Sequence, residues 1–386
     1  MYGIAVSLGL VGAFVGKALC QTPLEYPDNG TESTAPGGIY GFETWTALRT
    51  YFSSSPNYFT FGPESPKDPK PNEKTGGSGP YPAGIFRDTA LPRHTIYAPD
   101  TLRKGLKLPV ILWGNSLCVA QGTLFQAFLT EIASWGYIVI ANGGNGPPPI
   151  PTRAPPATPT SCTCKATPTT TTSTSSAKGP GPTPNVLIAQ WQYALNLLNS
   201  SLTGLVYDGQ TSPKMMADSI SWVDAGGSYN RFGEVDKDNI VVAGHDCGGL
   251  EAYSAAYRDE RIKSIVLFNS GLVDRTKDYL LTEFYAPLLY VYGGFWDFSW
   301  NSTEADYYSL LPGLRAVKAS LPTGHLGTFY DHNGGKYAKL MVSYMNWITK
   351  GDNRARSLFL NPDSQLVKDG WSITSKNWNE WIQHAK

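Results

Sequence analysis

The chain has 386 residues, 41% of them hydrophobic, with 31 Lys and Arg against 31 Asp and Glu, so its formal net charge is zero. That is enough apolar material for one large core in one domain, and the lack of a basic excess argues against nucleic acid or an anionic membrane surface as partner. The 22 Tyr and 11 Trp suit an apolar pocket with hydroxyl handles, which makes a small apolar molecule the expected partner. No feature of the sequence fixes an oligomeric state.

In chain order, Ile4 to Val15 form an apolar stretch too short to span a bilayer, followed by the small-x-small pattern of Ala18 and Cys20. Residues 1–20 read as a cleaved signal peptide, although no Lys or Arg precedes the stretch. Residues 21–386 then form the single domain. Secretion agrees with sequons at Asn29, Asn199 and Asn301, and with the even number of cysteines left after Cys20: Cys118, Cys162, Cys164 and Cys247. A stable membrane span is not expected.

Residues 21 to about 85 are rich in Pro, Gly, Ser and Asn and predict loops with a few short elements. Arg93 to Tyr97 alternate as an early strand does. Leu108 to Trp113 and Tyr137 to Ala141 are continuous apolar runs, the mark of strands buried on both faces of a parallel sheet. Leu124, Phe125, Phe128, Leu129 and Ile132 fall at helical spacing between them. Residues 146–183 are almost all Pro, Thr, Ser, Ala and Gly and predict a loop, with helical sequence resuming over 186–198. Strands follow at Ile240 to Ala243, Ile265 to Phe268, Leu288 to Tyr292 and Ala316 to Leu321. Helices are expected from Leu250 and over Tyr337 to Ile348. Strands alternating with helices give an α/β fold whose sheet is mostly parallel, with about eight strands and helices on both faces.

The segment Ile240-Val241-Val242-Ala243-Gly244-His245-Asp246-Cys247-Gly248-Gly249 is a buried strand, a Gly-x-Asp-x-Gly turn and a helix start. Such a sharp turn needs glycines on either side of its central residue, and it projects that residue at the carboxyl end of the sheet. Asp246 therefore stands at a nucleophile elbow, and the competing reading is a helix-capping Asp. Asp297, after the Leu288 strand, is the expected acid, and His325, in Gly324-His325-Leu326-Gly327, the expected base, with His332 as its rival. Nucleophile, acid, histidine is the chain order of the α/β-hydrolase fold. Oxyanion donors are expected from the Cys247 N–H and from the backbone at Asn115 or Ser116, between which the sequence does not choose. Donors converging on one oxygen bring the two loops together, so Cys118 and Cys247 come within bridging reach, the alternative being two buried thiols. Cys162 and Cys164 bring too few ligands for a metal, and neither metal nor cofactor is expected.

Taken together, Leu108 to Cys118, Phe128 to Gly143, the elbow, Gly293 to Asp297 and Gly324 to Gly335 resemble a group of secreted fungal and bacterial α/β-hydrolases of serine type. The resemblance covers most of residues 80–351. Those relatives carry Ser in Gly-His-Ser-Cys-Gly-Gly or Gly-Gln-Ser-Cys-Gly-Gly. With Asp246 in that place the elbow instead resembles the Gly-His-Asp-Trp-Gly-Gly of epoxide hydrolases, and the resemblance implies epoxide opening in an apolar secondary metabolite. Hydrolases of that kind serve fungal pathways to polyene-pyrones of the aurovertin type. Two departures stand out. Only 19 residues separate Phe268 from Leu288, too few for the helical cap of epoxide hydrolases, so no separate cap domain is expected. Their His-Gly-x-Pro motif is also absent. Proton donors must then come from elsewhere, with Tyr279, Tyr285 and Tyr330 near the right loops. Two other readings compete: Asp246 as general base in a dehydration, condensation or cyclisation, and a degenerate binding protein, against which the retained Asp297 and His325 argue.

Overall fold

The structure is a computed structural model that describes residues 74–101, 105–145 and 211–378. The expected signal peptide at 1–20, the sequons at Asn29 and Asn199, the low-complexity segment at 146–183, the helix at 186–198 and Cys162 and Cys164 lie outside the described residues.

Nine strands form one sheet among the described residues: β1 (Ala83–Phe86), β2 (His94–Pro99), β3 (Lys107–Gly114), β4 (Ile138–Asn142), β5 (Glu234–His245), β6 (Ile262–Phe268), β7 (Leu288–Tyr292), β8 (Ala316–Ser320) and β9 (Ser372–Lys376). Their order is β1-β2-β4-β3-β5-β6-β7-β8-β9. The six strands from β4 to β8 run parallel, while β1, β2 and β9 join antiparallel at the two edges. The architecture is therefore α/β with a mostly parallel sheet, one strand larger than the sequence predicted. Neither edge strand β1 nor β9 was named from the sequence; β9, Ser-Ile-Thr-Ser-Lys, is mostly solvent-facing and carries no apolar run to announce it.

The apolar runs of the central strands serve two cores at once, because successive side chains of a strand point to opposite faces. In β5, Val241 and Ala243 join one core, and Ile240 and Val242 the other. The same alternation holds in β3 (Ile111 and Trp113 against Val110 and Leu112) and in β6 (Val266 and Phe268 against Ile265 and Leu267). Helices cover both faces. Helices α1 (Gln126–Ala133), α5 (Gly335–Lys350) and α6 (Asn353–Leu360) belong to the first core; α2 (Pro213–Asp224) and α3 (Cys247–Ala256) belong to the second; α4 (Trp300–Ser309) follows β7. The first core centres on Trp113, whose ring lies 5.2 to 6.0 Å from those of Phe125, Phe128, Phe268 and Phe329, within the range of favourable aromatic pairs. The segment between β6 and β7 contains one 3-10 helix, Arg275–Thr282, and no helical cap is built from it.

The topology fixes where chemistry can occur. The chain passes from β3 to β4 on one side and from β5 to β8 on the other, so the sheet reverses direction of growth between β3 and β5. In open α/β sheets such a switch point leaves a crevice at the carboxyl ends of the strands. Gly114, the last residue of β3, pairs there with Gly244, one residue before the end of β5.

Candidate active site

Asp246 follows β5 directly, with φ 55° and ψ −121°. That is a conformation an L-residue adopts at a cost of order 1–3 kcal/mol, and such strain concentrates at functional sites. The surroundings hold it in place: the Asp246 N–H donates to the Phe268 carbonyl (3.0 Å), and its own carbonyl accepts from the Ser270 hydroxyl (2.7 Å) and the Gly249 N–H (2.9 Å). The elbow needs its glycines for space. A Cβ on Gly244 would lie 2.1 Å from the Gly248 oxygen, and one on Gly248 would lie 2.1 Å from the Gly114 carbonyl carbon. The capping reading does not hold, because the Asp246 side chain makes no capping bond to α3.

The two carboxylate oxygens of Asp246 have different surroundings. Oδ2 accepts the Leu117 N–H at 3.0 Å and the Ser116 hydroxyl at 3.2 Å. Oδ1 lies 4.0 Å from Nε2 of His325, beyond a hydrogen bond. The His325 imidazole is held from behind by Nδ1, 2.8 Å from Asp297 Oδ1. Asp297 Oδ1 also accepts the Ser299 N–H (3.0 Å), and its Oδ2 accepts the Gly293 N–H (3.0 Å) and the Asn269 amide (2.7 Å). Burial alone would raise the Asp297 pKa, but the adjacent His325 and these hydrogen bonds to the charged form outweigh it, and the carboxyl titrates below the ordinary aspartate range. Asp297 is thus an ionised acceptor that can fix the tautomer and orientation of His325. Asp246, Asp297 and His325, far apart in sequence, stand together at the carboxyl ends of β5, β7 and β8.

The rival histidine, His332, sits exposed in the 3-10 turn before α5. His245, inside the elbow, is fully buried, with Nε2 2.8 Å from the His325 carbonyl oxygen. A carbonyl only accepts, so Nε2 carries the proton. Burial, and then the charge of the neighbouring His325, push the His245 pKa down to about 3, so this ring is neutral and positions the backbone of His325. Of the three tyrosines, Tyr279 and Tyr285 are more than half exposed, whereas Tyr330 is buried with its ring 5.7 Å from Phe125.

The loop after β3 meets the Asp246 carboxylate, with a backbone N–H one residue beyond the Asn115 and Ser116 expected as oxyanion donors. The N–H that meets Asp246 belongs to Leu117, and Ser116 contributes its hydroxyl rather than its backbone. Leu117 and Cys118 both have positive φ, 53° and 50°, and neither residue type announces a left-handed turn. Asn115 has a different task. Its amide donates to the carbonyls of Val119 (3.1 Å), Gln121 (3.0 Å) and Asn142 (2.7 Å), and its Oδ1 accepts from Trp113 Nε1 (3.1 Å). It laces the loop to the end of β4. Cys118 and Cys247 form a disulfide, with Cα atoms 5.3 Å apart, which joins this loop to the first residue of α3. Beneath it, Glu251 accepts the Asn142 amide at 2.9 Å, and burial raises its carboxyl pKa to about 7. Sequence reasoning missed Glu251 and Asn142; a charged residue one turn into a buried helix was the available signal.

Asn301, in the third sequon, is exposed in the first turn of α4. Among the described residues no group of three or more His, Cys, Asp or Glu side chains is arranged to hold a metal, and no helix is long and apolar enough to cross a membrane. No protein-family model and no curated protein matches the chain.

Proposed function

We propose that this chain is a secreted enzyme of the α/β-hydrolase fold that opens an epoxide in an apolar secondary metabolite, with Asp246 as nucleophile. The observation that carries this reading is the division of labour at one carboxylate. Oδ2 sits among oxyanion-type donors, and Oδ1 faces a histidine backed by an ionised aspartate. A carboxylate is a poor nucleophile toward esters, because the mixed anhydride reverts; it suffices for the strained sp³ carbon of an epoxide.

In this reading Oδ1 attacks the carbon, the C–O bond of the ring breaks, and its electron pair passes to the epoxide oxygen, which takes a proton from solvent. His325 Nε2 then removes a proton from water, and the hydroxide adds to Cγ of Asp246. The charge that develops on Oδ2 is met by the Leu117 N–H and the Ser116 hydroxyl. Collapse expels the product oxygen, protonated by His325, and the carboxyl returns its proton to solvent. Epoxide and water give a diol. The disulfide suits a secretory route.

The test is a single turnover in heavy-oxygen water with an aryl epoxide. The expected result is unlabelled product and one heavy oxygen in the Asp246 peptide by mass spectrometry. An unlabelled peptide with turnover intact overturns nucleophilic attack and leaves Asp246 as a general base. Asp246→Asn abolishes turnover in either case.

A further inference from the structure

Strand β6 lies between β5, which leads into Asp246, and β7, which leads to Asp297. The chain leaves β6 through Asn269 and Ser270. The Ser270 hydroxyl donates to the Asp246 carbonyl, and Asn269 reaches the other way. Its amide nitrogen donates to Asp297 Oδ2 at 2.7 Å and to the Gly324 carbonyl, just before His325, at 3.2 Å. The residue type meets two demands of the position. The backbone is left-handed here, with φ 49°, which asparagine tolerates better than most side chains. The two acceptors also fix which way the amide points, since turning it over would set oxygen against oxygen. Its own Oδ1 is buried and accepts no hydrogen bond among the described residues. An amide kept in place with a bare acceptor is held there for what its N–H groups do.

We propose that Asn269 is a positioning residue of the reaction centre, whose amide fork keeps Asp297 and His325 aligned while the imidazole gains and loses its proton. The proposal rests on the reading of Asp246 and His325 as the reacting pair. Without Asn269 the Asp297 carboxylate keeps the N–H groups of Gly293 and Ser299, and the Gly324 carbonyl keeps the Gly327 N–H. What is lost is the second donor on Oδ2, which fixes the plane of the carboxylate behind His325. The effect is therefore on alignment, about tenfold in turnover.

The test uses the full-length secreted protein. Asn269→Gly keeps the left-handed backbone and removes the donor. Asn269→Asp keeps the shape: protonated, its carboxyl donates as the amide does, and ionised, it sets a second negative charge against Asp297. The other titratable group at Asn269 is Tyr337 of α5, 3.5 Å away, which burial keeps protonated; His325 and the neutral His245 stand beyond Asp297. The proton resonance of His325 Nδ1–H, assigned by its loss in His325→Gln, reads the alignment without any substrate. It is expected to move or broaden in Asn269→Gly. In Asn269→Asp it should match the wild type in acid and depart from it as pH rises. On an aryl epoxide, kcat of Asn269→Gly is expected to fall about tenfold with KM unchanged, and the deficit of Asn269→Asp to grow with pH. A resonance unmoved in both variants overturns the inference. So does an Asn269→Asp deficit that is the same at every pH, the mark of a packing residue. A wild type that turns over no aryl epoxide, with the resonance moved in the variants, sinks the epoxide reading and upholds the positioning role.

Discussion

Asp246 Oδ1 and His325 Nε2 stand 4.0 Å apart, and residues outside the proposed chemistry help to aim them. His245 illustrates this. Its neutral ring donates to the His325 carbonyl, so it sets the height of the base through the backbone. A side chain that keeps a donor at that reach should keep the function. His245→Gln is expected to retain turnover within a fewfold, while His245→Ala should lose about a hundredfold, the typical cost of misplacing a catalytic group by about an ångström. Steady-state rates on an aryl epoxide, with circular dichroism as a check on folding, decide it; equal losses in both variants would reduce His245 to a packing residue. At this scale the sequence was most informative about the residues proposed to carry chemistry, which the structure brings together. Asp246, Asp297 and His325 stand out by chain order and flanking glycines. The residues that aim them lack such marks, because a hydrogen bond between residues 245 and 325 leaves no local pattern.

At the scale of elements, the loop after β3 is irregular yet heavily tied. Two left-handed residues, Leu117 and Cys118, follow one another, and three carbonyls rest on the Asn115 amide. Asn115→Ala takes a donor from the Asn142 carbonyl and the acceptor from Trp113 Nε1, at about 1–3 kcal/mol per group left unsatisfied, while the Val119 and Gln121 carbonyls keep the N–H groups of Gln121 and Leu124. The variant is expected to lose about 2–3 kcal/mol of stability by denaturant titration and, in the proposed mechanism, to slow hydrolysis of the covalent intermediate more than its formation. A loss of stability with that partition unchanged would separate the loop's fold from its chemistry. Strands β3 to β7 were legible because burial on both faces leaves continuous apolar runs, as in Val110 to Trp113. β9 was not, because an edge strand with one covered face and a polar sequence looks like a loop. The identity of the donor N–H was missed for a related reason: the turn depends on φ values that leucine and cysteine do not advertise.

For the molecule as a whole, stability is coupled to pH through Glu251. Its carboxyl titrates near 4.5 when unfolded and near 7 when buried, so the native state holds the proton longer. The stabilisation is present in full below pH 4.5 and is lost as pH rises through 7. Glu251→Gln keeps the shape and removes the titration. It is expected to melt with the wild type near pH 4.5 and to exceed it at pH 8, by on the order of 3 kcal/mol. A variant less stable at pH 8 would mean that the ionised form has partners of its own. The disulfide acts on the same scale, for Cys118 and Cys247 are 129 positions apart, and the segment between β4 and Thr211 lies wholly inside the ring they close. A protease that cuts anywhere in residues 146–210 therefore leaves two polypeptides joined by one covalent link. One would carry the Leu117 donor, the other Asp246, Asp297 and His325. Such a nicked protein should migrate as one band without reductant and as two with it, and it should keep its activity until thiol is added. Conversion of the single chain into two would need no change of fold at all.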